Sequence, residues 1–306
     1  MKDPTQWTIK SLAEAFDEYL RSVRGARPET RPAYGRYARQ FLQTVSGDGR
    51  SLALDAIAPV DVVRFIEERS RRLRPGSVKM VAAALRGFFR FLGVLGVGDP
   101  HLADAVPTVA RWRLSTLPAF LDEEQEARLH DCFDTTTAIG RRDRAIVVCL
   151  SALGRRAAEL AELRLEDIDW RAGSLQIRSR KTRRGDVLPL PRDVGLAVVA
   201  YLRDDRPQTT ERRLFLTHCG ARALRARAVR DVVRAALRRA GIEGLARTGS
   251  HTLRHTLATR MIRHGAALVE IADVLGHRSL DTTAIYAKVD LPSLAQVALP
   301  WPEATS

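Results

Sequence analysis

The sequence predicts a mainly helical protein of two domains, the second carrying a small antiparallel sheet. Three observations predict it. A length of 306 residues sets a prior of about two domains. Apolar residues recur at helical spacing along most of the chain. That period gives way to strand-like patterning between residues 168 and 190. A hydrophobic share of 45% is enough to build a core in each domain.

The elements follow in order. Thr8 suits a helix cap, and Ile9, Leu12, Phe16 and Tyr19 after it fall on one face. A second helix runs from about Thr30, with Tyr34, Tyr37, Phe41 and Val45, and ends before Gly47. A third starts near Pro59, a favoured first-turn residue, and carries Val62, Val63 and Ile66. The fourth follows Pro75-Gly76 with Val78, Val81, Leu85, Phe88 and Leu92. Four short helices with brief loops make a small bundle over residues 1–98. Residues 99–118 lose the periodicity. Pro100, Pro107, Pro118 and the run Arg111-Trp112-Arg113 read as a basic interdomain linker.

The second domain, 119–306, opens with helices at about 122–133, 141–153 and 156–163. Segments near 175–178 and 186–190 read as strands joined by the basic turn S-R-K-T-R-R-G, with Ile168 and Trp170 offering a third. Helices resume at about 192–204, 225–240, 251–264, 267–275 and 281–288, with Gly265 and Gly276 ending two of them. No internal repeat or low-complexity segment interrupts this order.

A net charge of +14 favours a polyanionic partner. Cys132, Cys149 and Cys219 lie far apart, with no C-x-x-C pair. That argues against a disulfide framework and a cysteine zinc site, and fits a reducing cytoplasm. The N-terminus has no apolar signal core, and no apolar run reaches membrane-spanning length. The charge is therefore assigned to nucleic acid and not to a membrane. Only five of the fifty basic residues are lysine, which makes each lysine's position informative.

Four polar residues near the C-terminus suggest chemistry on a phosphodiester. His251 and Arg254 sit in H-T-L-R-H, His277 in L-G-H-R-S, and Tyr286 ends T-T-A-I-Y. Cleavage by a side chain needs a nucleophile, donors for the nonbridging oxygens and an acid for the leaving oxygen. A tyrosine hydroxyl can reach a groove and attack. His251 and Arg254, three apart, share a face at a helix start, where Ser250 suits the cap and free N–H groups seat phosphate. The arginine fork can grip two phosphate oxygens. Gly276 can end its helix in the left-handed conformation, leaving His277 at a sharp turn. Taken singly, each is more commonly a core tyrosine, a surface polar pair or a packed turn histidine. Their order is far more specific than any member.

The stretch from Ser250 to Tyr286 resembles the C-terminal motif of the tyrosine recombinases, the phage-integrase family, almost throughout. The resemblance implies two more catalytic groups. L-G-R-R-A-A-E-L, residues 153–160, is similar to the family's first-arginine motif. Counting back three residues from Glu159 gives Arg156 that role. Arg155 then stands where the family usually has an apolar residue, and a buried guanidinium without a partner is costly. The family's lysine lies eight residues before the proline of a V-P-L type strand. Counting back from Pro189 gives Lys181. The resemblance spans nearly the whole chain. It implies an N-terminal four-helix SAM-like core-binding domain that clamps a DNA duplex, and an α+β catalytic domain of the DNA breaking-rejoining type. The A-K-V-D and P-W-P segments near the end are similar to integrases of bacterial mobile elements.

By this resemblance Tyr286 attacks the scissile phosphate and forms a 3′-phosphotyrosyl link without metal or cofactor. Arg156, Arg254 and His277 hold the nonbridging oxygens, His251 accepts the tyrosine proton, and Lys181 protonates the 5′-oxygen. The implied partners are specific double-stranded DNA sites and a homotetramer on two of them, with accessory DNA-bending proteins or partner recombinases in some systems. The implied place is the bacterial cytoplasm, at the nucleoid. Integration, excision, resolution and transposition stay open. Arg69, Arg71, Arg72 and Arg74, then Arg180, Arg183 and Arg184, then Arg227, Arg230, Arg234 and Arg238 are candidate DNA contacts. The tail residues Leu291, Leu294, Val297 and Leu299 suit docking on a neighbour or on their own domain. Three alternatives stand beside this reading: a type IB topoisomerase, a non-catalytic DNA-binding relative, and a metal site on His251, His255 and His277. No H-E-x-x-H motif supports the last.

Overall fold

The computed structural model describes residues 7–46, 52–109, 118–178, 185–245, 249–277 and 279–289. The chain divides into two compact units, Met1–Trp112 and Arg113–Ser306.

Among the described residues, unit one holds α1 (Ile9–Ser22), α2 (Arg31–Val45), α3 (Pro59–Arg72) and α4 (Pro75–Leu95). Thr8 caps α1, its hydroxyl accepting from the Ser11 N–H at 3.1 Å while the Ser11 hydroxyl accepts from the Thr8 N–H at 3.0 Å. Pro59 and Pro75 each open a helix, where the N–H that proline lacks has no helical partner to lose. The core is aromatic. Phe41 meets Phe65 and Phe89 edge-on at 5.4 and 5.3 Å, and Phe16 meets Phe88 at 5.2 Å. The described part of the expected linker, 99–109, is folded onto this bundle. A 3₁₀ helix at Pro100–Ala103 brings Leu102 and Val106 into the core, and Arg86 donates to the Val106 carbonyl at 2.9 Å. Prolines break a helical period without removing the gain from burying the apolar residues between them.

Unit two begins with α5 (Glu123–Asp131), α6 (Ala138–Leu153) and α7 (Ala157–Glu162). The antiparallel sheet β1 (Ile168–Asp169), β2 (Ser174–Arg178) and β3 (Gly185–Pro189) follows in sequential order, with Leu175 opposite Leu188 and Ile177 opposite Asp186. Then come α8 (Arg192–Asp204), α9 (Ala226–Arg239), α10 (Ser250–Arg263), α11 (Leu268–Leu275), α12 (Leu280–Thr283) and a 3₁₀ helix at Ala284–Val289. α6 is buried on most of its circumference from Ala145 onward and forms the centre of the unit, as a largely apolar stretch of helix must. Leu175 and Ile177 of β2, Val194 and Val198 of α8, and Val229 and Val233 of α9 join it in one core. A second cluster gathers Leu257, Ala258 and Ile262 of α10, Ile271 and Leu275 of α11, and Tyr286.

Two local expectations change. The cap of α10 is Gly249, at φ 147°, and Ser250 is the first helical residue, buried, with no side-chain capping bond. Only glycine adopts that backbone without strain. The last helix is also not continuous. One turn of α12 passes into the tighter 3₁₀ form at Ala284, which sets the direction of Tyr286. No described helix is long and apolar enough to cross a membrane.

Candidate active site

Three consecutive residues, Gly154, Arg155 and Arg156, organise the site. Gly154 ends α6 in the left-handed conformation at φ 58°. A Cβ there would stand 2.7 Å from the methyl carbons of both Leu257 and Leu275, so α10 and α11 approach the turn as closely as glycine allows. The Gly154 carbonyl, freed at the helix end, accepts from Nη1 of Arg254 at 2.7 Å. That bond fixes a guanidinium from α10 against the end of α6.

Arg156 caps α7 and shares two contacts with Glu159: its N–H donates to Oε2 at 3.0 Å and its Nη1 to Oε1 at 2.9 Å. Its side chain stays 42% exposed, so the guanidinium is both tethered and reachable. Arg155 points the other way. Its side chain is 2% exposed and pairs with Asp186 of β3, Nη1 to Oδ2 at 2.9 Å. The arginine in the place of an apolar residue is thus a buried ion pair that joins the α6–α7 turn to the sheet. Gly276, at φ 61° at the end of α11, packs on the same pair: a Cβ there would lie 2.8 Å from Nη1 of Arg155 and 3.2 Å from Oδ2 of Asp186. The turn that carries His277 therefore rests on the Arg155–Asp186 pair.

Arg254 is almost wholly buried, and its Nη2 has no hydrogen-bond partner. Burial, with Arg156 beside it, lowers its pKa to about 10, so it remains a cation at neutral pH. A buried cation with an unsatisfied donor is expensive alone and well suited to an anion that enters later.

His277 lies just past α11, with its N–H donating to the Ala272 carbonyl at 2.8 Å and its Nδ1 2.7 Å from the hydroxyl of Thr283. Burial and the charges of Arg254 and Arg156 lower its pKa to about 4, so it is neutral at ordinary pH. When the Thr283 hydroxyl donates to Nδ1, the ring proton sits on Nε2 and is free to be donated.

Tyr286 is 1% exposed. Burial raises its pKa to about 12, against the opposing pull of Arg254 and Arg156. Its hydroxyl lies 2.8 Å from Nδ1 of His255. From the sequence His255 stands only as a candidate metal ligand, although it directly follows Arg254 in H-T-L-R-H. Thr283, one turn before Tyr286 and fully buried, is a site residue that no motif signals. His251, in the first turn of α10, is exposed, with its ring 6.5 Å from that of His255.

The site thus gathers Arg156, Arg254, His277 and Tyr286 from four segments, with His251 and His255 along one of them. Lys181, Arg180, Arg183 and Arg184 lie outside the described residues, as do Arg111, Trp112, Arg113 and the tail beyond residue 289. Among the described residues, no group of three His, Cys, Asp or Glu side chains is arranged to hold a metal. Of the candidate DNA contacts, Arg71, Arg72 and Arg74 are exposed around the α3–α4 turn, and Arg69 stacks on Phe65 at 4.8 Å. Arg227, Arg230, Arg234 and Arg238 form an exposed stripe on α9, where Asp231 pairs with Arg234 at 2.8 Å and with Arg227 at 3.8 Å.

Comparison with known proteins places this geometry. Residues 119–291 match the phage integrase family, and residues 13–93 match the phage integrase N-terminal SAM-like domain. The chain is 39% identical over 301 residues to the integrase/recombinase y4rA of Sinorhizobium fredii, covering 96% of this chain and 71% of that one. It is 32% identical over 297 residues to the tyrosine recombinase XerC of Oceanobacillus iheyensis, covering 92% of each. The fold is similar to that of the XerH recombinase in its post-cleavage complex with a palindromic difH substrate, at a TM-score of 0.74 and 20% identity over 95% of this chain and 85% of that one. It is also similar to lambda integrase, at a TM-score of 0.72 and 15% identity over 98% of this chain and 81% of that one. With both of its units matched in order and its relatives named as recombinases over nearly its full length, the chain belongs to the phage integrase family of tyrosine recombinases, enzymes that cleave and rejoin DNA strands.

Proposed function

We propose that this chain is a site-specific recombinase in which Tyr286 attacks the scissile phosphate of double-stranded DNA and forms a 3′-phosphotyrosyl link. The observation that carries the reading is the convergence on one site of the Tyr286 hydroxyl, two guanidiniums and a neutral imidazole. Arg156, exposed and tethered, and Arg254, with its open Nη2, hold the nonbridging oxygens as charge builds there. His277 adds a hydrogen bond from Nε2. His251 stands beside them at the α10 N-terminus, where free N–H groups favour phosphate. Lys181 protonates the departing 5′-oxygen. The phosphotyrosyl link keeps the bond energy, so a 5′-hydroxyl from another strand can reverse the step and complete an exchange.

The basic residues at the α3–α4 turn, on the β2–β3 turn and along α9 bind the phosphate backbone, and a homotetramer brings two sites together. Residues 1–98, with the segment packed on them, form the core-binding domain that contacts the duplex, and 119–306 form the catalytic domain. The protein works on chromosomal or mobile-element DNA in the bacterial cytoplasm. The match to the phage integrase family supports a mobile-element role.

The test uses a nicked suicide substrate carrying the protein's own recombination site. The wild-type protein gives a covalent DNA adduct, and Tyr286→Phe gives none. An adduct at the wild-type level from Tyr286→Phe rules out this nucleophile. Plasmid relaxation with no recombinant product would indicate a topoisomerase instead.

A further inference from the structure

We propose that His255 is the catalytic base that takes the proton from Tyr286. The inference rests on the phosphotyrosine reading and names the group that activates its nucleophile. The family resemblance assigns that proton to His251, but the imidazole on the hydroxyl is that of His255, Nδ1 to Oη at 2.8 Å. This is the separation a general base requires. The two rings stand 5.6 Å apart and inclined at 58°, so they do not stack, and their contact is made through the heteroatoms.

Burial sharpens the need for such a group. With Tyr286 1% exposed, bulk water does not reach its hydroxyl, and a side chain already in contact must receive the proton. The charged and titratable groups around His255 come from several elements. Arg254 and His251 share α10 with it, Tyr286 faces it from the 3₁₀ helix, and His277 faces it from the turn after α11. Arg156 and Arg254 act on Tyr286 with positive charge, which favours the phenolate as the proton leaves. His251, one turn earlier on α10, is exposed, with its ring 6.5 Å from that of His255.

The step balances. The Oη–H bond of Tyr286 breaks and an Nδ1–H bond forms on His255. Oη bonds to phosphorus, and the bond from phosphorus to the 5′-oxygen breaks as Lys181 gives that oxygen its proton. On rejoining, the 5′-hydroxyl gives its proton back to Lys181 and its oxygen bonds to phosphorus, the bond from phosphorus to Oη breaks, and the departing tyrosine oxygen recovers its proton from His255.

Single-turnover adduct formation at saturating DNA, followed across the ordinary histidine pKa of about 6.5, tests the assignment. His255→Ala is expected to slow the step about 100-fold or more and to lose the acidic limb of the profile. His255→Asn keeps an acceptor near the position of Nδ1 but cannot take a proton, and is expected to be equally slow. His251→Ala slows the step but keeps the acidic limb. A fluorinated tyrosine at position 286, whose phenol ionises more readily, restores part of the rate to His255→Ala. A purely structural defect would not respond to that replacement. Equal circular dichroism and DNA affinity establish that the variants fold. A wild-type rate in His255→Asn, or a faster adduct in His255→Ala, overturns the assignment. An adduct that persists in Tyr286→Phe defeats the phosphotyrosine reading itself.

Discussion

Asp186→Ala offers the sharpest test of how the site is held together. Arg155 is a 2% exposed guanidinium whose ion pair is with Asp186 at 2.9 Å, and its Nε and Nη2 are buried without partners. At that separation Coulomb attraction amounts to about 6 kcal/mol for an effective dielectric of about 20. The Asp186 side chain is 43% exposed, so water competes for it and the net loss is smaller. Breaking a fully buried pair costs about 3–5 kcal/mol. With one partner half in water, Asp186→Ala should cost about 2–3 kcal/mol, nearly all of it from the stranded guanidinium. Arg155→Met removes that charge while filling similar space. The double variant Arg155→Met/Asp186→Ala should therefore recover most of the loss, with a coupling of about 2 kcal/mol. Urea unfolding of the full chain, followed for both singles and the double, measures it. A loss below about 0.5 kcal/mol for Asp186→Ala, or a double variant as unstable as the sum of the singles, would refute the buried-pair account.

Two further predictions concern His277. Thr283→Val keeps the buried volume but removes the hydroxyl on Nδ1, so ring orientation and tautomer are no longer fixed. Strand cleavage at saturating DNA should fall about 10-fold, equivalent to about 1.4 kcal/mol, with DNA affinity unchanged. A wild-type cleavage rate would show that the contact does not orient the ring. The second prediction is a pH dependence. The folded chain lowers the His277 pKa to about 4, so the unfolded chain binds the proton first as pH drops. Stability should fall between about pH 6.5 and pH 4 and level off below, by about 1 kcal/mol once solvent screening is allowed for. His277→Gln should flatten that part of the stability profile. An unchanged slope would assign the dependence to other groups.

Much of this fold is legible in the sequence because its signals are local. Thr8, Pro59, Pro75 and Gly276 punctuate helices whose apolar faces repeat at short range, and each boundary falls within a few residues of its expected place. Local signals also mislead where burial decides. The prolines around Leu102 and Val106 hide two core residues, and Ser250 looks like a cap although Gly249 holds that position. The site was legible as a set of residue types at fixed spacings. Its contacts were not, because they join residues distant in sequence: Arg155 with Asp186, Arg254 with Gly154, and His255 with Tyr286.

Those distant contacts give the doubled arginine a physical meaning. One turn must do three things: release a carbonyl for Arg254, present Arg156 to solvent, and support the turn that carries His277. An apolar residue at 155 would pack but would impose no direction on Asp186 or on the backbone at Gly276. A guanidinium paired at 2.9 Å fixes an angle as well as a distance, and the Gly276 backbone lies directly against it. Asp186 also sits one residue into β3, five residues after Lys181 in the sequence. The buried pair thus joins the arginine turn, the histidine turn and the start of β3 through a single pair of side chains. A charge that adds little to stability compared with a hydrophobic replacement can still be retained for the geometry it enforces. On that argument, Arg155→Met alone should leave an active site whose stability is lowered less than its cleavage rate.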